Sequence, residues 1–223
     1  RRPDPGRLRP AGPREDPLVT EVSDLFSRMP GGHFEASDWG RRYADDLGHA
    51  WAECPRGDWL LWAGAILEVD HATITRATLG CARWALALLP AAEDEQLLND
   101  VLALAERWCQ GEASGEECRE AARSVLAIYQ KGLKAEGDRG HALAGYATSA
   151  VAAAVLVPTY NSVFGRACGA SAAALAAAQV AAPYDETVLF DAHSYCAELV
   201  RNHIPFEAVV GSTGFRVYAR SLF

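Results

Sequence analysis

The sequence predicts an all-α fold, either an antiparallel multi-helix bundle or a solenoid-like array, of about eight helices. Apolar residues recur at helical spacing, as Leu97, Val101, Leu104 and Trp108 do. Alanine, the residue with the highest helix propensity, fills 17 of the 41 positions in residues 142–182. No repeat of fixed period accompanies these patterns, so the bundle and the array both stay open.

Capping and breaking residues divide the chain into successive helices. In the first half, one predicted helix runs from Leu18 to Pro30-Gly31-Gly32, one is capped by Ser37 or Asp38 and ended by Pro55, one is capped by Asp58, and one is capped by Asp70 and stopped by Pro90. The next helix runs through Trp108 and is ended by Gly111, and the one after it is opened by a Ser114–Glu117 capping box. Two alanine-rich helices then meet near Pro158, and a last helix runs from Asp185 to Arg201 and is broken at Ile204-Pro205. Five tryptophans are predicted to join helices to one another, namely Trp51, Trp59, Trp62, Trp84 and Trp108.

These elements predict a single helical domain over residues 18–205. Residues 1–17 contain five prolines and five arginines and predict a disordered linker. Residues 206–223 predict an extended tail, either a short hairpin or an arm, because apolar residues alternate on both sides of a GSTG sequence. The alternating residues are Phe206, Ala208, Val210, Phe215, Val217 and Ala219.

The charge balance argues against direct binding of nucleic acid. Lys and Arg number 21 against 29 for Asp and Glu, which gives a net charge of −8, whereas phosphate binding needs a basic surface. An acidic surface is compatible with a basic protein partner. The most apolar run, residues 142–157, is too short and too weakly apolar to predict a membrane span.

The cysteines predict reduced and mostly buried thiols. There are six, at positions 54, 81, 109, 118, 168 and 196, and no two form a C-x-x-C pair. Together with the lack of a recognisable signal peptide, this predicts a cytoplasmic protein. The chain begins at Arg1 without Met, so we expect a processed or trimmed chain.

Sequence motifs give no support for catalysis, a metal or a cofactor. Phosphate-binding, dinucleotide-binding, nucleophile-elbow and zinc-protease motifs are all missing from the sequence. A single E-x-x-H pair, Glu68 and His71, has no second copy to complete a di-iron site. His193 and Cys196 share a helix face, but a histidine beside a core cysteine is a simpler interpretation than a nucleophile with its base. We therefore expect a non-enzymatic protein.

Charge patterning singles out one surface. Nine acidic residues and only two arginines lie between residues 93 and 120. Several occupy first helical turns, where the helix dipole favours them, but together they also predict an acidic ridge that would steer a basic partner. The residues that we expect to bind such a partner are Glu93, Asp94, Glu95, Asp100, Glu112, Glu116, Glu117 and Glu120.

The chain resembles a family of all-helical bacterial immunity proteins that are encoded beside polymorphic toxins. The resemblance covers roughly residues 38–206 and is most specific in the W…C-x-R-G-D-W-L-L-W portion. The matching residues are Trp51, Cys54, Arg56-Gly57-Asp58-Trp59-Leu60-Leu61-Trp62, Cys81-Ala82-Arg83, Glu106-Arg107-Trp108, Gly111-Glu112, Leu199-Val200-Arg201 and Ile204-Pro205.

The resemblance implies that the protein binds and neutralises a cognate toxin. It also implies that recurrent residues hold the fold, with Asp58 as a cap, Trp59 and Trp62 in the core, and Arg83 and Arg201 as partly buried donors. An acidic inhibitor would suit a nuclease, whose cleft is basic.

Two other functions stay open. The first is a helical adaptor or regulatory protein unrelated to toxins that dimerises, or forms a larger oligomer, through the alanine-rich helices. The second is an enzyme or small-ligand carrier whose pocket lies between helices, and an apolar cavity ringed by His193, Tyr195 and Cys196 would support it.

Overall fold

A computed structural model describes residues 21–31, 33–89, 94–134, 139–181 and 185–221, and these are helical with short connections. The all-α prediction is therefore confirmed. The α-helices are α1 His33–Gly40, α2 Leu47–Glu53, α3 Gly57–Ile66, α4 His71–Ala87, α5 Glu95–Cys109, α6 Gly115–Lys134, α7 Arg139–Leu156, α8 Val163–Ala181, α9 Glu186–His203, α10 Phe206–Val210 and α11 Thr213–Ser221, with short 3-10 helices at Val22–Phe26 and Val157–Thr159. The predicted linker, residues 1–17, lies outside the described residues.

Several predicted helix starts are confirmed by their hydrogen bonds. The Asp70 carboxylate accepts from the Thr73 amide at 2.9 Å, at the start of α4. The Asp185 carboxylate accepts in the same way at the start of α9. At α6 the Ser114 amide donates to Glu117 at 2.7 Å and the Glu117 amide donates back to the Ser114 hydroxyl at 3.2 Å. This is the reciprocal capping box that the sequence predicts.

Two predicted caps are wrong. Ser37 and Asp38 lie inside α1, and the next helix is instead capped by Asp46, which accepts from the His49 amide at 2.9 Å. Asp58 lies within the first turn of α3 rather than before it, and Arg56 is the residue at the cap. Position in the sequence suggested a cap because Asp58 precedes an apolar run. In the structure its carboxylate pairs with Arg56.

The core is centred on α8, which packs against α3, α4, α7 and α9. The alanine-rich pair is central, as expected, because its small side chains let the helix backbones approach closely. Buried alanines of this pair include Ala147, Ala150 and Ala154 on α7 and Ala170, Ala173, Ala174 and Ala177 on α8. These alanines therefore pack inside the protein, between α7, α8 and their neighbours.

Helix α3 is buried on every side along most of its length. Each residue from Gly57 to Ala65 is buried, which marks a central rather than a surface helix. At Gly57 a Cβ would lie 2.7 Å from the backbone carbonyl carbon of Cys196. Glycine therefore allows α3 to touch the backbone of α9 at this point.

The five tryptophans that were predicted to join helices lie in the core or pack against it. Trp51, Trp59 and Trp62 are buried, while Trp84 and Trp108 are half-buried against the core. Arg201 on α9 donates to the Cys54 carbonyl at 2.8 Å, which ties the end of α2 to α9. The implied role of Arg201 as a partly buried donor is confirmed.

The predicted extended tail is wrong. Residues 206–221 form two short helices, α10 and α11, and the GSTG sequence is the joint between them. At that joint the Ser212 hydroxyl accepts from the Phe215 amide at 3.2 Å, and the Gly214 amide donates to the Leu67 carbonyl at 3.1 Å. Three alternating residues on each side of a turn are too few to separate a strand from a short helix.

Length and composition make one described helix, α8, a candidate membrane span. Its window has a mean hydropathy of 1.2, and 56% of the window is buried inside the protein. A buried core helix meets the same criteria. The most apolar run of the sequence, residues 142–157, overlaps a shorter apolar helical segment, Ala144–Thr159.

Candidate functional site

The structure divides the predicted acidic ridge between the two ends of α5. Asp94 and Glu95 begin this helix, and its 15 residues span roughly 20 Å at 1.5 Å per residue. Asp100 lies between the ends, and Glu93 lies outside the described residues. The remaining predicted acids gather where α5 turns into α6, and we call Glu112, Glu116, Glu117 and Glu120 the acidic corner.

All four carboxylates of the acidic corner are exposed, but most have partners. Glu116 pairs with Arg119 and Glu120 pairs with Arg123. Hydrogen bonds from Ser114 lower the pKa of Glu117. Glu112 alone has no side-chain partner among the residues that the structure describes. The local negative charge is therefore weaker than residues 93–120 suggest, since Arg123 lies just beyond that window.

A charged cluster lies in the protein interior, between α3 and α9. Asp58 is 2% exposed and accepts two hydrogen bonds from Arg56, at 2.9 Å from Nε and 2.8 Å from Nη2. The Arg56 guanidinium also lies 4.9 Å from the ring centroid of Trp59 and 3.8 Å from a Glu35 carboxylate oxygen. Arg56 and Asp58 therefore form a bidentate ion pair, the arrangement that gives strong charge-assisted hydrogen bonds, and it is a structural one.

His193 and Cys196, the pair considered for nucleophilic chemistry, belong to this interior region. His193 Nδ1 lies 3.8 Å from Asp58 Oδ1 and has no hydrogen-bond partner among the described residues. Burial, reinforced by the Arg56 charge, lowers the pKa of His193 to about 4. A hydrogen bond with Cys81, together with burial, raises the pKa of the Cys196 thiol far above its ordinary value. A neutral, buried thiol is a poor nucleophile, so the core interpretation of Cys196 is favoured.

The depressed pKa of His193 predicts a loss of stability in acid. The unfolded chain takes up a proton near the ordinary pKa of 6.5, whereas the folded protein resists protonation until about 4. Stability should therefore fall as the pH drops below 6.5, by about 2 kcal/mol between pH 7 and pH 5. Urea unfolding at both pH values should show that H193Q loses less stability between pH 7 and pH 5 than the wild type does. The matched variant H49Q, at an exposed histidine, should keep the full loss, and an unchanged acid loss in H193Q would contradict this origin.

The cysteines and the single E-x-x-H pair, Glu68 and His71, occupy positions that the fold itself explains. Four of the six cysteines are buried and two are half-buried, as predicted. His71 Nε2 lies 2.9 Å from the Val157 carbonyl, and Glu68 occupies a left-handed turn with φ of 57° before α4. Within the described part of the chain, no three His, Cys, Asp or Glu side chains group as metal ligands would.

A pocket of about 250 Å³ lies elsewhere, between α4, α5 and the end of α9. It is lined by Arg76, Leu79, Gly80, Arg83, Glu106, Cys109, Gln110 and His203. Arg83 donates to Glu106 at 2.8 Å, which confirms it as a partly buried donor. Of the three residues that could ring an apolar cavity, His193 and Cys196 are buried, whereas Tyr195 is 44% exposed and packs beside Trp84.

Sequence reasoning missed this pocket. The spacing of Arg76, Gly80 and Arg83, which are four and three residues apart, does place them on one face of a helix. That this face contacts His203 of α9 follows only from tertiary packing. No protein-family model, curated protein or solved structure matches the chain.

Proposed function

We propose that the protein is a non-enzymatic inhibitor of the immunity type, which binds a basic toxin, such as a nuclease, through the acidic corner. The resemblance in the W…C-x-R-G-D-W-L-L-W portion supports this class of protein. The observation that carries the proposed surface is the exposure of all four corner carboxylates, three on α6 and one, Glu112, on the connection that leads into it from α5. Inside the protein, Asp58 is already paired and Cys196 is buried, which supports a role in binding rather than in turnover.

The acidic corner is held in a fixed conformation. Gly111 ends α5 with a φ of 79°, and the Glu112 amide donates to the Arg107 carbonyl at 2.9 Å. The capping box then starts α6 three residues further on. The backbone that carries these carboxylates therefore loses little conformational entropy when a partner binds.

Charge complementarity sets the expected behaviour of the complex. Exposed acids accelerate encounter with a basic surface and contribute most at low salt, because counterions screen them. The ion pairs with Arg119 and Arg123 reduce this field. Glu112 and Glu120 are suitable positions to change, because neither side chain takes part in the Ser114–Glu117 capping box.

Reversing the charges of Glu112 and Glu120 to lysine should weaken toxin binding by about tenfold or more and flatten its salt dependence. The probe is the product of the neighbouring gene, with affinity measured by calorimetry and protection measured by growth of cells that express it. The matched control, E95K D100K, makes the same charge change on the first half of α5. Equal losses in both variants would show that only net charge matters, and no loss in either would rule out the acidic corner.

A further inference from the structure

The pocket between α4, α5 and α9 is shaped by contacts between residues of these three helices. Gly80 leaves room for the His203 ring, since a Cβ at this position would lie 3.0 Å from His203 Nε2. Arg76 reaches across the pocket from α4, and its Nη2 donates to the Cys109 carbonyl at 2.9 Å. Residues from three helices therefore converge on one concave surface.

The lining of the pocket has more hydrogen-bond donors than it uses. Arg83 directs Nε and Nη2 to the same oxygen of Glu106, at 2.8 Å and 2.7 Å. Arg76 donates a hydrogen bond from one nitrogen, Nη2, to the Cys109 carbonyl. Across the described residues, the side chains of Gln110 and His203 and the Nη1 atoms of both arginines have no hydrogen-bond partner. Such donors are normally satisfied by solvent or by a ligand.

The charge of the lining favours a small anion. Two guanidiniums face one carboxylate, which leaves a positive excess in a protein whose net charge is −8. Burial raises the pKa of the Cys109 thiol to about 11, so it adds no negative charge. The carbonyl ends of α5 and α9 oppose an anion, and Arg76 offsets the first of these. This balance suits a group of low charge better than a polyphosphate.

We propose that this pocket binds a carboxylate or phosphate group of a small molecule, with Arg76 as its main donor and Gln110 and His203 beside it. Guanidinium groups match the geometry of both kinds of oxyanion. The volume of about 250 Å³ is slightly below the usual range of ligand pockets, so it suits a compact ligand. This site stands independently of the toxin-binding role.

Titration with inorganic phosphate and with acetate, followed by NMR, tests the proposal. At least one anion should bind saturably with a Kd of about 1–10 mM, and the shifts should localise to the Gly80 and Gln110 amides. Binding of both anions would indicate a general oxyanion site, and binding of phosphate alone would indicate a phosphate ester. Lack of saturable binding by either anion would overturn the proposal.

Two variants locate the site. R76Q should weaken binding by about tenfold or more, while the matched control R123Q, which removes the same charge from exposed α6, should bind as the wild type does. G80A should also weaken binding, because its Cβ displaces the His203 ring, although alanine favours the helix. Circular dichroism confirms the fold of each variant. Binding that is unchanged in both R76Q and G80A would place the anion elsewhere and overturn the assignment.

Discussion

Replacing Asp58 by alanine is expected to lower the free energy of unfolding by about 3–5 kcal/mol. The carboxylate is 2% exposed and accepts two hydrogen bonds from Arg56, whose side chain is only 22% exposed. Removing the acid leaves this guanidinium largely buried with Glu35 at 3.8 Å as its nearest acid partner. Urea unfolding followed by circular dichroism measures the loss.

Two controls separate this effect from the loss of an ordinary ion pair. E106A breaks the Arg83–Glu106 pair, whose side chains are 39% and 43% exposed, and should cost less than about 1 kcal/mol. R56M D58L removes both buried charges and should recover most of the stability lost in D58A. A loss in D58A no larger than that in E106A would contradict the buried-pair interpretation.

Replacing Trp62 by alanine should be as damaging, with a loss of about 3–5 kcal/mol. This side chain is fully buried on α3, its ring packs edge-on against Phe164 at 5.7 Å, and its Nε1 donates to the Leu25 carbonyl at 2.7 Å. Truncation opens a cavity between α3 and α8 and leaves a buried carbonyl unsatisfied. Thermal and urea unfolding would both report the change.

The variant W62F separates the loss of the hydrogen bond from the loss of packing. It keeps an aromatic ring in the core but removes the donor to Leu25, so we expect a loss of about 1–3 kcal/mol. W84A truncates a half-buried tryptophan at the surface of α4, beside Tyr195, and should cost clearly less than W62A. If W84A proved equally destabilising, Trp62 would not hold the special place in the core that the structure gives it.

Local sequence signals predicted most of the helices because helix starts depend on nearby residues. Asp70 and Ser114 cap the helices that directly follow them, as the sequence indicated. Asp58 has the same local pattern but a different role, because its environment includes Arg56 and His193, a residue of distant α9. A cap and a buried ion pair are not distinguishable until the neighbours in space are known.

The candidate sites were less predictable than the fold. The acids were found from composition, but their separation by the length of α5 and their pairing with Arg119 and Arg123 follow from helix boundaries and side-chain contacts. The pocket was not found, because Arg76 and His203 come from helices far apart in the chain. The two tail helices were missed because the contact of Gly214 with the Leu67 backbone lies outside any local pattern.

The central position of α8 bears on how the chain folds during synthesis. Helix α3 carries Trp59, Leu60, Leu61 and Trp62, all buried in the finished protein, and much of that cover comes from α8. The ribosome makes α3 more than one hundred residues earlier than the end of α8. During that interval the nascent polypeptide must keep a strongly apolar helix from aggregating, by transient burial against earlier segments or by a chaperone.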